Sequence, residues 1–251
     1  MTTFNAAQYE DLKVKSQDLY ANTKYEILES YLAGHGRRRI LNAGCGSGEL
    51  SLRLAALGHE VMGIDLEPAH IDLARANAAA HPGLSCRFAV SSIEDYRPDT
   101  TFDCVVSTDV LEHIDDDRAA FAKLVSLVPP GGLILITVPA GPWLFGYHDE
   151  QLGHYRRYTR RSLNQLMAND CEIEEMRYFG CSLIPVCLLY SKWLRRPYPV
   201  AESGDNRKRP FSARVLQTLL KLDQALPLPW GTSLLVKGIR KTVGRSVNRA
   251  A

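Results

Sequence analysis

The chain has 251 residues, 45% of them apolar, with 30 basic and 28 acidic side chains and a formal net charge of +2. That length suits one large α/β domain, or one domain with an elaborated lid, and the charge balance argues against a nucleic-acid partner held by bulk electrostatics. No basic stretch followed by an apolar core opens the sequence, so no signal peptide is expected. Six cysteines stand at 45, 86, 104, 171, 181 and 187, none in Cys-x-x-Cys spacing and none beside clustered histidines. They read as reduced thiols of a cytoplasmic protein, with no metal expected.

Residues 6–33 read as a helix in which Leu12, Leu19, Ile27, Leu28 and Leu32 are the apolar positions. Gly34 and Gly36 close it, so 1–36 is expected to form a helical cap ahead of a larger domain over 37–251. Arg37, Arg38 and Arg39 make a solvated approach to a strand at 40–43. That strand runs into Gly44-Cys45-Gly46-Ser47-Gly48, and a helix over 48–57 begins at once. A strand over 60–65 ends in Asp65, and a helix over 68–80 carries Pro68 in its first turn. Strands follow at 84–90 and 102–107, then a helix over 116–127 with Asp115, Asp116 and Asp117 at its positive end. The turn Pro129-Pro130-Gly131-Gly132 precedes a fully apolar strand at 133–138. Beyond it lie a polar-aromatic loop (140–158), a helix over 160–168 capped by Thr159, and a strand over 171–179. The stretch 180–230 is irregular, rich in proline, with a helix at 212–225; a last strand spans 233–240 and residues 245–251 fray.

Apolar strands alternating with helices predict a parallel sheet covered on both faces. Ligands of such sheets sit beyond the carboxyl ends of the strands. Asn42–Gly48, Asp65, Ser91–Asp95, Thr108–His113 and Pro139-Ala140 all fall at such ends and should converge on one cleft. Glycines let the backbone pass close to a ligand, and an acid about 20 residues on can grip the two hydroxyls of a ribose. A nucleoside-containing cofactor is therefore expected. The spacing Gly44-x-Gly46-x-Gly48 departs from the Gly-x-Gly-x-x-Gly of nicotinamide binders.

The chain here resembles the class I S-adenosylmethionine-dependent methyltransferases, in their small-molecule branch. The likeness rests on Leu41–Gly48, Gly63-Ile64-Asp65, Ser92–Asp95, Phe102–Ile114 and Leu127–Gly132, in the family's order. It implies a doubly wound, mainly parallel sheet of seven strands with an antiparallel last strand. It also implies roles at matching positions. Asn42, Gly44, Cys45, Gly46 and Gly48 would pass under the methionine part and ribose of S-adenosylmethionine. Asp65 would hold the ribose, with Leu66 against the adenine. Ile93, Glu94 and Asp95 would edge the adenine, and Thr108, Asp109 and Leu111 would floor the methionine. The family often carries an acid where Asn42 stands; asparagine keeps an acceptor but drops the charge, so somewhat weaker cofactor binding is expected.

The sulfonium methyl is already activated, leaving the protein to align a nucleophile, exclude water and remove a proton. His148, His154 and His113 are the candidate bases, the last with a loop-fixing hydrogen bond as its alternative role. Tyr147, Tyr155, Arg156 and Arg157 are candidate acceptor contacts, the arginines for a carboxylate or phosphate unless they form internal salt bridges. Tyr9, Tyr20 and Tyr25 offer an aromatic face to a sulfonium or pack on the sheet. The stretch 180–230 is expected to be a substrate lid. Its apolar part, followed by Lys192, Arg195 and Arg196, lines a pocket or makes a weak membrane-surface contact. The expected reaction is methyl transfer to oxygen, less so nitrogen, of a small organic molecule, by a monomer or homodimer. The rivals are a membrane lipid or glycolipid acceptor, a nucleic-acid acceptor, disfavoured because Thr108-Asp109-Val110-Leu111 stands where an Asn/Asp-Pro-Pro-Tyr/Phe sequence would be expected, and a non-catalytic cofactor-binding protein.

Overall fold

The computed structural model describes residues 18–198 and 211–242, together with Leu12. Its strands are β1 (Arg39–Ala43), β2 (Glu60–Asp65), β3 (Cys86–Val90), β4 (Cys104–Thr108), β5 (Leu133–Pro139), β6 (Cys171–Phe179) and β7 (Ser233–Arg240). They form one sheet in the order β3-β2-β1-β4-β5-β7-β6. The first five pair in parallel, and β7 runs antiparallel to both β5 and β6. The chain winds outward from β1 to β3, then restarts at β4 on the other side of β1. That reversal opens a crevice at the carboxyl ends of β1 and β4.

Side-chain alternation divides the core. In β1, Ile40 packs into a cluster with Leu28, Leu32, Leu50 and Leu54, while Leu41 and Ala43 point to the opposite cluster with Phe121, Leu124 and Leu163. In β4, Cys104 and Val106 join the first cluster and Val105 the second. Both faces are therefore covered, which is why these strands read as unbroken apolar runs. Helices α1 (Leu19–Leu32), α2 (Glu49–Ala56) and α7 (Phe211–Ala225) supply the first layer, α4 (Asp117–Ser126) and α6 (Arg160–Met167) the second. Helix α3 (Pro68–Ala79) adds Ile71 and Ala74 to a satellite cluster with Cys45 and Phe88.

The helix starts follow from local chemistry. The Asp18 carboxylate accepts from the Tyr20 and Ala21 amides at 2.9 and 3.1 Å, and Asp116 accepts from Ala119 at 2.9 Å. Thr159 and Ser162 cap α6 reciprocally, each side-chain oxygen accepting the other's amide at 3.0 Å. Asp117 accepts the Tyr158 hydroxyl at 2.7 Å. The expected acidic first turn of the 116–127 helix is thus consumed in capping and in fixing the neighbouring loop.

The cap helix is present in its second half; the rest of 6–17, with Tyr9, lies outside the described residues apart from Leu12, and so does the tail 245–251. Tyr20 stacks on Phe179 with centroids 5.1 Å apart, and its hydroxyl bonds to Thr232 and Ser233. Tyr20 therefore takes the packing alternative, as does Tyr25, buried against Arg53. The stretch 180–194, read as irregular, is helical: Cys181–Leu183 and Ile184–Val186 lead into a π-helical run, Cys187–Leu194. Pro185 does not break it because it occupies a first-turn position, where its missing amide is not needed. Loop 140–158 likewise contains a short helix, α5 (Tyr147–Leu152). No helix among the described residues is long and apolar enough to cross a membrane.

Candidate active site

The end of β1 turns sharply because Gly44, Gly46 and Gly48 have φ of +75°, +52° and +77°, values that L side chains resist. The amides of Gly44 and Cys45 both donate to the Ile64 carbonyl, at 2.8 and 2.9 Å, binding the turn to β2. The three glycines serve different ends. A Cβ on Gly44 would stand 2.2 Å from Val110 Cγ2, and one on Gly48 would meet Phe88 and Ala74. The three atoms nearest a Cβ on Gly46 would all belong to the Leu12 side chain, the first at 2.9 Å. Gly44 and Gly48 thus admit Val110, Phe88 and Ala74 of the sheet and its helices, whereas Gly46 admits Leu12 of the cap. Gly44→Ala should destabilise the chain by about 1–2 kcal/mol from the left-handed backbone alone, plus the Val110 clash. Urea unfolding should show that adding Val110→Ala recovers the second part only.

Asp65, at the tip of β2, closes this turn. Its Oδ2 accepts the Gly46 amide at 2.9 Å, and its Oδ1 accepts the Glu67 amide and bonds His70 Nδ1, both at 3.1 Å. A carboxylate has about four acceptor sites, so capacity remains for a ribose hydroxyl. Asn42 is buried and donates to Ser51 Oγ at 2.9 Å, while its Oδ1 has no partner among the described residues. The acceptors left open here, the Asp65 carboxylate and Asn42 Oδ1, fit the hydroxyl and ammonium donors of a nucleoside with an attached ammonium. Leu66 is exposed beside Asp65, Ile93 is buried, and Glu94 and Asp95 are exposed, with Asp95 bonded to Ser92 at 2.9 Å. Burial raises the Cys45 thiol, so it stays protonated.

Asp109 holds the far side. Its φ is +54°, a strained value for a non-glycine residue. Asp109 accepts the Thr137 hydroxyl at 3.0 Å and is ion-paired with Lys24 of the cap helix, itself nearly fully buried. Thr108 precedes it at the end of β4 and Leu111 is buried behind it. Lys24 escaped the sequence reading, because a lone lysine in an amphipathic helix looks solvated and its partner is 85 residues away. The available signal was its placement among the apolar residues that α1 buries.

The candidate bases separate clearly. His113 and His154 stand edge to face with ring centroids 4.6 Å apart. One carboxyl oxygen of Glu112 and one ring nitrogen each of His113 and His154 lie within 4.8 Å of one another. Glu112 is fully buried, neither carboxyl oxygen has a partner among the described residues, and burial, then the Asp109 charge, raises its pKa well above the usual carboxylate range. Burial and the neighbouring His154 push His113 down from 6.5 to about 4, against the opposing pull of Asp109, the Leu152 backbone and Asp65. His148 instead packs on Tyr198 at 4.6 Å, and its amide donates to Ser191 Oγ at 3.0 Å. A histidine held neutral by folding contributes stability in full above its unfolded pKa, and loses it as pH falls through 6.5 toward 4. His113→Gln should flatten the fall in melting temperature over that window in calorimetric scans.

The arginines take the salt-bridge alternative. Arg157 is buried with Nε donating to Asp149 Oδ1 at 2.7 Å, and Arg156 pairs with Asp117 at 3.0 Å and Asp115 at 3.6 Å. Tyr147 is half-buried at the start of α5 and Tyr155 is exposed; the Tyr155 amide donates to the Glu112 carbonyl at 2.8 Å, tying this loop to the end of β4.

Residues 40–132 match the family described as methyltransferase domain. The chain is 36% identical over 129 residues to a ubiquinone biosynthesis O-methyltransferase of Xanthomonas euvesicatoria, covering 50% of each chain. It is 42% identical over 97 residues to the protein of the same name from Methylocella silvestris, covering 38% of each. The chain thus spans half or less of these curated relatives. Among solved structures, magnesium protoporphyrin IX methyltransferase from Synechocystis superposes with a TM-score of 0.62 at 15% identity, covering 95% of this chain and 96% of that one. A methyltransferase from Mesorhizobium loti gives 0.62 at 18% identity, covering 89% of this chain and 100% of that one. The family match thus covers residues 40–132, and the seven-stranded sheet has the fold of the class I S-adenosylmethionine-dependent methyltransferases.

Proposed function

We propose that this protein is an enzyme that transfers the methyl group of S-adenosylmethionine to an oxygen of a small organic molecule. The observation that carries the reading is the Asp65 carboxylate tied to the Gly46 amide at 2.9 Å, at the carboxyl edge of the sheet. When bound, the cofactor supplies an electrophilic methyl on a sulfonium, open to in-line displacement. Asp65 takes the ribose hydroxyls, with Leu66, Ile93, Glu94 and Asp95 around the adenine. Lys24, Asp109 and the free Oδ1 of Asn42 face the charged methionine end, Thr108 and Leu111 support it, and Gly46 lets the backbone lie close. The acceptor lies over His113 and His154, with Tyr147 and Tyr155 at its margin; an oxygen acceptor suits an imidazole that takes its proton. The half-length relatives named as O-methyltransferases support oxygen over nitrogen.

Residues 180–198 and 211–230 belong to the substrate lid in this reading, residues 199–210 lying outside the described residues, and six unpaired thiols support a cytoplasmic site of action. The acceptor is identified by incubating the protein with radiolabelled S-adenosylmethionine and a small-molecule extract, then characterising the labelled product. Label in an O-methyl group supports the proposal. Tight S-adenosylhomocysteine binding with no labelled product from any extract would favour a cofactor-binding protein without turnover.

A second reading draws on one surface. Trp193 is 74% exposed, with Leu189, Leu194 and Trp143 exposed nearby and Lys192, Arg195 and Arg196 alongside. A lipid or glycolipid acceptor predicts binding to anionic vesicles that weakens with salt. Sedimentation without vesicle binding at low salt would dismiss it.

A further inference from the structure

Asp149 had no assigned part in the sequence reading, yet it organises the base side of the cleft. It lies three residues into α5, fully buried. Its Oδ2 accepts the Gly146 amide at 3.0 Å, and its Oδ1 takes both Arg157 Nε at 2.7 Å and His154 Nδ1 at 2.8 Å. The His154 amide also donates to the Asp149 carbonyl at 2.9 Å. An ionised carboxylate only accepts hydrogen bonds, so the proton between it and His154 sits on Nδ1. Burial alone would raise Asp149, but the bonds from His154 and Arg157 outweigh it and hold the carboxyl down at about 2. It is therefore ionised throughout the neutral range. The tautomer of His154 is fixed, with the lone pair on Nε2.

Resting on the methyl-transfer reading, we propose that Asp149 is the positioning residue that makes His154, rather than His148, the proton acceptor of the reaction. As the acceptor oxygen forms its bond to the methyl carbon, the carbon–sulfur bond breaks with its electron pair left on sulfur. The hydroxyl proton passes to His154 Nε2, and the resulting imidazolium is balanced by the Asp149 carboxylate at 2.8 Å. Water then removes the proton. His113 provides a neutral wall at 4.6 Å rather than a competing positive charge. The other charged or titratable groups around this pair are Glu112 and Asp109 from the end of β4, Arg157 on the far side of Asp149, Asp65 at the tip of β2, and Cys187 and Tyr198 from the 187–198 segment. The carboxylates of Asp149, Asp109 and Asp65 offset the positive charge of an imidazolium here, and burial, then the Asp109 charge, pushes Glu112 toward its neutral form.

The test uses the full chain with nitrogen-15-labelled histidine. Long-range proton–nitrogen spectra, with His154→Gln for assignment, should show His154 as the Nδ1–H tautomer at neutral pH in the wild type. Asp149→Asn should shift it toward Nε2–H, because an amide offers both a donor and an acceptor to Nδ1. With the acceptor found by radiolabelling, Asp149→Asn and His154→Gln should each lower the single-turnover rate by about a hundredfold or more. The acceptor KM should stay in place, and His148→Gln should keep its rate. A wild-type His154 in the Nε2–H form, or a His154→Gln variant with an unchanged rate–pH profile, would overturn the assignment. The tautomer is read without turnover, so its failure is distinct from failure of the methyl-transfer reading, which appears as absent labelled product. If Asp149→Asn does not fold, the wild-type spectrum and His154→Gln still decide the matter.

Discussion

Arg157→Ala is expected to lower the unfolding free energy by about 3–5 kcal/mol, as removal of one partner from a buried ion pair does. The side chains of Arg157 and Asp149 are 4% and 0% exposed, so the carboxylate left behind is a buried charge without its ion-pair partner. It would retain the Gly146 amide and His154, which is too little to replace a guanidinium that also donates to the Ala140 carbonyl at 3.3 Å. The effect should depend on pH in a defined direction. The Asp149 carboxyl is depressed from 3.8 to about 2, so its contribution is fully present above the unfolded value and fades as pH falls through that interval. The gap between wild type and variant should be widest near neutrality and narrow in acid. Arg156→Ala is the contrast: that side chain is 29% exposed, and its pair should be worth no more than about 1 kcal/mol. Urea titrations of both variants at several pH values check the pair.

Asp65→Ala should weaken S-adenosylhomocysteine binding by about 1–3 kcal/mol, roughly 5- to 150-fold, the size expected of a lost hydrogen bond to a charged group. The carboxylate does two jobs at once. It offers acceptor capacity to a ribose, and it pins the Gly46 amide at 2.9 Å and the start of α3 through Glu67 at 3.1 Å. Asp65→Asn separates them, since the amide keeps one acceptor and the shape but loses the charge. An intermediate affinity for Asp65→Asn in isothermal calorimetry is expected. Equal affinity of wild type and a folded Asp65→Ala would remove the ribose from this position.

The sheet was readable because the physics that builds it is local. Apolar runs such as Leu133–Val138 are long enough for a strand, and glycine or proline punctuates each end. The glycine turn and Asp65 were legible for the same reason, lying about 20 residues apart in one strand–turn–helix–strand unit. What escaped the reading depends on contacts between distant segments. Lys24 looks like any solvated lysine until α1 folds onto the sheet and delivers it to Asp109. In the run from Gly146 to Thr159, histidine and arginine drew attention as reactive groups. The acid between them, Asp149, proves to be the hub that binds both His154 and Arg157. The run 180–194 was read as irregular because Gly180 and Pro185 are breakers in general, whereas here Gly180 turns at φ +81° before the helical run and Pro185 starts its next segment.

The central claim is that Asn42, Gly46 and Asp65 cradle a sulfonium nucleoside. The direct measurement is a crystal structure of the protein grown with S-adenosylhomocysteine, paired with a soak in NAD. The account predicts adenosylhomocysteine with its ribose hydroxyls on Asp65 and its amino-acid end toward Asn42, Lys24 and Asp109, and no ordered dinucleotide. NAD seated on the glycine turn with adenosylhomocysteine absent would contradict it.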